Sequence, residues 1–291
     1  MTQNNQEKLT QDVMAAFANA PPRLREIMES LVKHVHAFAR DVDLTAEEWL
    51  AGLQFLTKTG QISTERRPEF ILLSDTLGLS MMIVTLAHAR ESGNAQGATE
   101  PTVEGPFYWP GAPDFPLGAD ISAGVNGEPA YYSGRVLDLQ GKPLAGALLD
   151  IWSGDGDGKY DVQLAAEPEM KARGRIRTDD QGRYWFWSIR PTFYPIPDDG
   201  PVGDMLRATN RNIFRPGHIH MQVSAPGHVT LTTHVFVKGS PYIDEDAVFG
   251  KRDSLVVEFP QHPPGKGPDG RAMKVPYYSA AYDFRLAPAR A

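Results

Sequence analysis

The sequence predicts a mainly β protein with a helical N-terminal part: helices up to about residue 100, then an antiparallel β-sandwich. Three observations predict this. Apolar residues repeat at helical spacing before about residue 95. Glycine and proline then crowd into "GNAQGATEPTVEGPFYWPGAPDFPLG", which reads as a long structured loop. From about residue 130, short alternating runs separated by turns take over, the pattern of a sandwich. The expected domains are a helical one over 1–100 and the sandwich over 101–291.

The elements follow in order. In "PPRLREIMESLVKHVHAFARDV", Leu24, Ile27, Met28, Leu31, Val35 and Phe38 form one apolar stripe. "LTAEEWLAGLQFL" opens with Thr45 and Glu48 at capping-box spacing, and Gly60 marks its end. "STERRPEFILLSDTLGLSMMIVTLAHARE" reads as a further helix, with Pro68 near its start and Gly78 as its weak point. Its apolar part is too short and too soon charged for a membrane span. The strand candidates are "YYSGRVLDL", "ALLDIWS", "RYWFWSI", "HIHMQVS", "LTTHVFV" and "SLVVEF". With turns at Gly141, Lys142 and Pro143 and at Asp180, Gln181 and Gly182, their rhythm is that of a transthyretin (prealbumin)-like or carboxypeptidase-regulatory-like sandwich.

Composition narrows the function. The net charge of −7 and the lack of any basic block argue against nucleic acid as a partner. The absence of cysteine excludes disulfides, thiolate metal sites and cysteine nucleophiles. Any metal must use His, Asp, Glu, Tyr or water, which favours a harder ion such as iron over structural zinc. The polar N-terminal stretch lacks a signal-peptide core, so the expected compartment is the cytoplasm.

"FRPGHIHMQV" puts His218 and His220 two apart in a strand pattern, so both imidazoles aim at one spot. His34 and His36 are also two apart, but on a helix, where that step turns about 200° and the rings diverge. A bare pair of strand histidines is weak evidence by itself, and ordinary strand histidines are the alternative. His234, on the next strand, is placed to line the same cavity. Tyr160 follows the strand "LLDIWS" in the polar loop "SGDGDGKYDVQ", and Tyr194 follows "RYWFWSI" in the proline-stiffened loop "RPTFYPIPDDGPVG". Each is either a packing anchor or a fixed functional group. "DGDGKYD" partly mimics a calcium loop but lacks the terminal Glu, so calcium is set aside. Arg215, three residues before His218, is either a surface cation or a group that stabilises negative charge on a substrate.

Taken together, "GKYD", "TFYPIP" and "FRPGHIH", with the "VEGPFY" loop and the helical first part, resemble the intradiol ring-cleavage dioxygenases, the catechol 1,2-dioxygenase group. The resemblance covers nearly the whole chain. It implies one Fe(III) per subunit, non-haem, held by Tyr160, Tyr194, His218 and His220. Phenolate is a hard, anionic donor suited to the ferric state, and binding lowers its pKa from the free value of about 10. The resemblance further implies that Tyr194 leaves the metal and accepts a substrate proton while Tyr160 stays. Arg215 would stabilise the carbanion-like substrate, and His234 would assist where catechol-cleaving relatives carry Gln. The substrates implied are a small aromatic diol or triol and O2. The pocket implied is Leu72, Asp75, Val103, Gly105, Pro106, Phe107, Pro195, Ile196, Pro197 and Val248.

Asp75 is the informative one. Catechol cleavers tend to be apolar there, whereas hydroxyquinol 1,2-dioxygenases resemble this chain in having Asp. A buried carboxylate facing an unsubstituted ring lacks a partner, whereas facing a third hydroxyl it accepts a charge-assisted hydrogen bond. The expected reaction is therefore cleavage of hydroxyquinol to 3-hydroxy-cis,cis-muconate, whose keto form is maleylacetate. The alternative is cleavage of catechol to cis,cis-muconate. Asp75 pointing at solvent, or at Arg66 or Arg67, is the alternative placement. The resemblance also implies a homodimer through the N-terminal helices, with bound phospholipid at the interface and no membrane insertion, although the apolar stripes are equally compatible with packing on the sandwich. Two rivals from other classes remain. A transthyretin-like binding module would hold no iron. A cupin-like Fe(II) or Zn(II) enzyme would use the same two histidines with a Glu and a third His on later strands.

Overall fold

The helical stripes of the sequence become helices, but the third one breaks. The computed structural model describes residues 3–64, 67–93, 95–122, 124–164 and 169–290. Residues 1–61 and 62–291 form two compact units. In the first, α1 (Gln3–Ala15) precedes α2 (Pro22–Asp41), whose N-terminus carries proline where its missing N–H costs nothing. α3 (Ala46–Ile62) opens with the expected capping box: Glu48 accepts from the Thr45 N–H at 2.9 Å, and the Thr45 hydroxyl accepts from the Glu48 N–H at 3.2 Å. The α2 stripe of Leu24, Ile27, Leu31, Val35 and Phe38 lies exposed in the single chain, and α2 buries no residue. His34 is exposed while His36 reaches Thr10 Oγ1 at 2.9 Å, so the helical histidines do diverge.

In the second unit, α4 (Glu69–Thr76) and α5 (Leu79–Ser92) replace the one helix expected. The break falls at Gly78, whose φ of +72° only glycine adopts without strain, and the two axes differ by 78°. Among the described residues no single helix is long and apolar enough to cross a membrane.

The strands are β1 (Asp114–Phe115), β2 (Pro129–Asp138), β3 (Leu148–Trp152), β4 (Arg173–Arg177), β5 (Arg183–Ile189), β6 (Tyr194–Pro195), β7 (Phe214–Arg215), β8 (His218–Ser224), β9 (Leu231–Val237), β10 (Val256–Val257), β11 (Gln261–His262), β12 (Gly265–Lys266), β13 (Ala272–Met273), β14 (Tyr277–Ala281) and β15 (Phe284–Leu286). One sheet runs β1-β4-β3-β8-β9-β10; the facing one runs β11-β14-β2-β15, with β5 also on β2. The long ladders, β2 with β5, β3 with β4 and β8, and β8 with β9, are antiparallel. Four shorter ladders are parallel: β1 on β4, β10 on β9, and β14 and β15 on β2. The core lies between the sheets. Ile219, Met221 and Val223 of β8 and Leu231, Val235 and Val237 of β9 meet Tyr132, Val136, Phe186 and Phe284 there. Strand alternation therefore sends His218, His220, His234 and Phe236 to the other face.

Candidate metal centre

The site is built on that outer face of β8 and β9 by the loops after β3 and β5. His220 stands directly opposite His234 across the β8–β9 ladder, and opposite Trp152 across the β3–β8 ladder. Trp152 stacks on its ring, with centroids 4.7 Å apart and planes 16° apart. Tyr160 follows β3 after an Asx-type loop in which Asp155 accepts the N–H groups of Asp157 and Lys159. That use of Asp155 accounts for the calcium-like look of the loop. Tyr194 sits in the two-residue ladder of β6 and β7, directly opposite Arg215. Gly158 lets the two loops touch: at its φ of +77°, a Cβ would lie 2.5 Å from the Tyr194 Cβ.

Four donor atoms converge as a result. Tyr160 Oη lies 2.9 Å from His220 Nε2, His220 Nε2 lies 3.1 Å from His218 Nε2, and His218 Nε2 lies 3.5 Å from Tyr194 Oη. All four side chains are buried. His218 Nδ1 is 2.7 Å from the Pro216 carbonyl, which fixes its proton there and leaves a lone pair on Nε2. Burial, then Arg215, depresses the His218 pKa to about 3, so the ring is neutral, as a metal-binding imidazole must be. Burial, then His218, also puts His220 far below its ordinary value. Burial and Tyr194 push the Tyr160 phenol well above its usual range, opposed by Arg215 and Arg173. Left to the protein alone, Tyr160 stays protonated; only a strong local cation ionises it. Two phenols and two neutral imidazoles around one point fit a hard, highly charged ion such as Fe(III).

Arg215, 3% exposed, lines this cluster, its Nη1 being 3.1 Å from His218 Nε2 and 3.5 Å from Tyr194 Oη. Burial opposes its charge, but Asp246 and Tyr194 more than offset this and hold it protonated. Asp246, which the sequence reading missed, accepts from Arg215 Nε at 3.1 Å and Nη2 at 3.3 Å. It also accepts the N–H groups of Val248 and Gly250. A second missed pair, Arg173 with Asp161, is 1% and 2% exposed by side chain and donates further to the Phe107 carbonyl at 2.8 Å. Phe107 stacks on Tyr160 with centroids 4.6 Å apart.

Nine of the ten expected pocket residues fall into three groups, and Asp75 stands apart. Leu72, Pro106, Phe107 and Pro197 line one small cavity with Arg67, Pro68 and Glu69. Gly105 lies against His220, where a Cβ at its φ of +78° would sit 3.5 Å from the ring, and Val248 is buried on the Asp246 turn. Val103 and Ile196 are buried, whereas Pro195 is exposed and pairs with Phe214. Asp75 does not face solvent: it is 5% exposed. Burial raises its pKa, Ser80 and then Arg215 oppose the rise, and Asp246 adds to it, so it lies within electrostatic reach of the Arg215–Asp246 pair. Arg67 is engaged with Glu69 and Asp199, and Arg66 lies outside the described residues. His234 puts its Nε2 2.8 Å from His220 Nδ1, on the side of that ring away from Tyr160 and His218.

Comparison with known proteins agrees with this geometry. Residues 103–288 match the family model described as dioxygenase, and 21–95 match the catechol dioxygenase N terminus. The chain is 45% identical over 289 residues to a 6-chlorohydroxyquinol 1,2-dioxygenase of Cupriavidus pinatubonensis, covering 99% of each chain. It is 45% identical over 290 residues to a hydroxyquinol 1,2-dioxygenase of Nocardioides simplex, covering 99% of this chain and 97% of that one. A solved hydroxyquinol 1,2-dioxygenase from Pseudomonas putida superposes with a TM-score of 0.91 at 43% identity, over 98% of this chain and 99% of that one.

The chain belongs to the intradiol ring-cleavage dioxygenases.

It is an enzyme of that family, whose members use non-haem Fe(III), and its cluster of buried tyrosines and histidines is consistent with that ion. The signal for Asp246 and Asp161 was weak in the sequence, because each pairs through loop geometry with no periodic spacing. The contact of His234 was readable: an antiparallel register setting "GHIH" against "LTTHVF" puts it opposite His220.

Proposed function

We propose that this intradiol dioxygenase cleaves hydroxyquinol between its adjacent hydroxyls with O2, using one Fe(III) per subunit held by Tyr160, Tyr194, His218 and His220. When bound, the ferric ion supplies Lewis acidity toward two adjacent substrate oxygens and draws electron density from the ring. The protein's groups do the rest. Tyr160 is the fixed ligand, wedged between Phe107 and His220. Tyr194, opposite Arg215, takes the proton of a substrate hydroxyl on its Oη. Arg215, held by Asp246, faces the negative charge that grows on the ring as the proton leaves. Leu72, Val103, Gly105, Pro106, Phe107, Ile196, Pro197 and Val248 form the walls that orient the ring and exclude water, with Pro195, which is exposed, at their solvent edge.

The observation that carries the choice of substrate is the buried Asp75 carboxyl, close enough to feel Arg215. Facing catechol it would be desolvated without a new partner; facing hydroxyquinol it accepts from the third hydroxyl. A site built to bond a hydroxyl strongly rejects the analogue that lacks it. The 45% identity to enzymes acting on hydroxyquinols supports the same reading. We further propose a cytoplasmic homodimer joined through the N-terminal helices, supported by the exposed stripe of α2. The test of substrate is O2 uptake by the iron-loaded enzyme with hydroxyquinol and with catechol, corrected for autoxidation. A strong preference for hydroxyquinol is expected; a preference for catechol overturns the role of Asp75 and leaves the ferric site standing.

A further inference from the structure

His234 is fully buried, and its Nδ1 has no hydrogen-bond partner among the described residues. Its Nε2 is 2.8 Å from His220 Nδ1, with the two rings nearly perpendicular at 87°. Only one proton lies between these nitrogens, and two arrangements are available. If His234 donates, the proton of neutral His220 sits on Nε2, the atom 2.9 Å from Tyr160 Oη and 3.1 Å from His218 Nε2. That nitrogen then cannot ligate. If His220 donates from Nδ1, its Nε2 keeps a lone pair aimed at the other donors, and His234 carries its own proton on the partnerless Nδ1.

We infer that His234 is a positioning residue that accepts the Nδ1 proton of His220, and so holds the tautomer in which His220 is a metal ligand. The three histidines do lie close enough to suggest a three-histidine site, with ligand atoms within 4.8 Å of one another. The nitrogen of His234 that faces this cluster is spent on His220, so His234 is not a third ligand. His218 gets the same service from the Pro216 carbonyl at 2.7 Å. Each ligand histidine thus has one acceptor behind it, supplied by the main chain in one case and by a cross-strand side chain in the other. A donor-only or apolar side chain at this position fails; a carbonyl oxygen of suitable reach suffices. The reaction itself uses no atom of His234 on this account.

The inference rests on the ferric-site reading above, and the test separates the two. The purified enzyme and the variants His234→Gln, His234→Leu and His234→Met are loaded with iron and titrated with EDTA. Retained iron and the visible phenolate-to-iron band are then read without any substrate. Loss of an outer partner of a ligand histidine typically costs about 10–100-fold in metal affinity. The leucine and methionine variants are expected to lose iron by that factor. His234→Gln, whose side-chain carbonyl accepts the same proton, is expected to stay within about threefold of the parent. The metal-free leucine variant is expected to melt close to the metal-free parent, because the partnerless His234 Nδ1 it removes offsets the buried His220 Nδ1 it leaves without a partner. Methionine, which fills the space flexibly, carries the test where leucine does not fold. Iron held equally well by the leucine and methionine variants overturns the inference. Equal loss in all three variants also overturns it, pointing to direct ligation by His234. A parent enzyme that takes up no iron overturns the ferric-site reading instead.

Discussion

Removing the Asp246 carboxylate should cost both folding and catalysis, by amounts the geometry sets. Arg215 and Asp246 are 3% and 6% exposed and meet at 3.1 and 3.3 Å. In Asp246→Ala the guanidinium stays buried, its remaining hydrogen-bond contacts among the described residues being His218 Nε2 and Tyr194 Oη, and the N–H groups of Val248 and Gly250 lose their acceptor. Breaking one side of a buried pair costs about 3–5 kcal/mol. In Asp246→Asn one oxygen survives, but the amide group replacing the other meets two donors, Arg215 Nη2 and the Gly250 N–H, so the loss should be only slightly smaller. Urea unfolding at pH 7 measures the stability term. For turnover, an Arg215 freed from its anchor loses its preorganised place beside the developing charge, and kcat should fall about 100-fold or more. The Asp246 carboxyl is held below its usual range: burial raises its pKa, but Arg215 overrides that. A depressed folded-state value stabilises above the unfolded pKa of about 3.9 and is lost as pH falls through the folded one. The parent should therefore shed stability below about pH 4 that the alanine variant never had. Replacing both partners, Arg215→Met with Asp246→Leu, should restore much of the stability and none of the turnover. An alanine variant within about 0.5 kcal/mol of the parent and with unchanged kcat would refute the reasoning.

Three other perturbations test separate parts of the site. Asp75→Ala removes a charge-assisted hydrogen bond of about 1.5–3 kcal/mol, so kcat/KM for hydroxyquinol should drop about 10–150-fold with little change for catechol; equal losses on both substrates sink the selector role. Gly158→Ala pushes a methyl to within 2.5 Å of the Tyr194 Cβ at a φ of +77°, and should displace Tyr194 enough to cut turnover about 100-fold and weaken the phenolate-to-iron band; a variant with the parent's spectrum and rate contradicts the close approach. In chelator-treated, metal-free enzyme, His218, His220 and His234 are kept neutral by burial, with His218 at about 3. The unfolded chain then binds protons first, so stability should fall as pH drops below about 6.5. A urea midpoint flat from pH 8 to 5 speaks against buried neutral rings.

What the sequence revealed tracks how local the physics is. The pair His218 and His220 was legible because strand alternation is a two-residue rule, and β8 and β9 fall on the runs quoted for them. Tyr160 and Tyr194 were legible as odd aromatics directly after strands. By contrast the short helix Pro201–Ala208 falls where the sequence suggests a loop, although Pro201 at its N-terminus and Arg207 in its last turn mark a helix. Eight residues after "PIPDD" are too few for an apolar stripe to declare itself. The break at Gly78 was seen as a weakness but not as a 78° bend, because only packing decides whether a helix tolerates glycine. Asp246 lies 31 residues from Arg215 in a run of acids, "DED", and nothing local separates the buried one from its exposed neighbours.

The two missed ion pairs share a logic with the tyrosines they flank. Asp161 is the residue after Tyr160 and binds Arg173 at 2.5 Å, while Arg215 faces Tyr194 across the β6–β7 ladder and binds Asp246. Each tyrosine thus stands beside one buried arginine, and each arginine is neutralised by its own aspartate. A bare buried arginine would carry a large desolvation cost, and a pair without its partner would leave net charge in the site. Paired, the guanidiniums add no net charge but still present their positive side to the phenols, opposing the rise in the Tyr160 pKa. They are too weak to ionise it, since burial wins. What remains is a site neutral on its own, whose Tyr160 phenol ionises only beside a strong local cation. Under the proposed ferric reading, two phenolates would leave one positive charge, which a substrate oxygen would bring to zero. The arginine–aspartate pairs thus set the orientation of the field, and a bound ferric ion would set its magnitude.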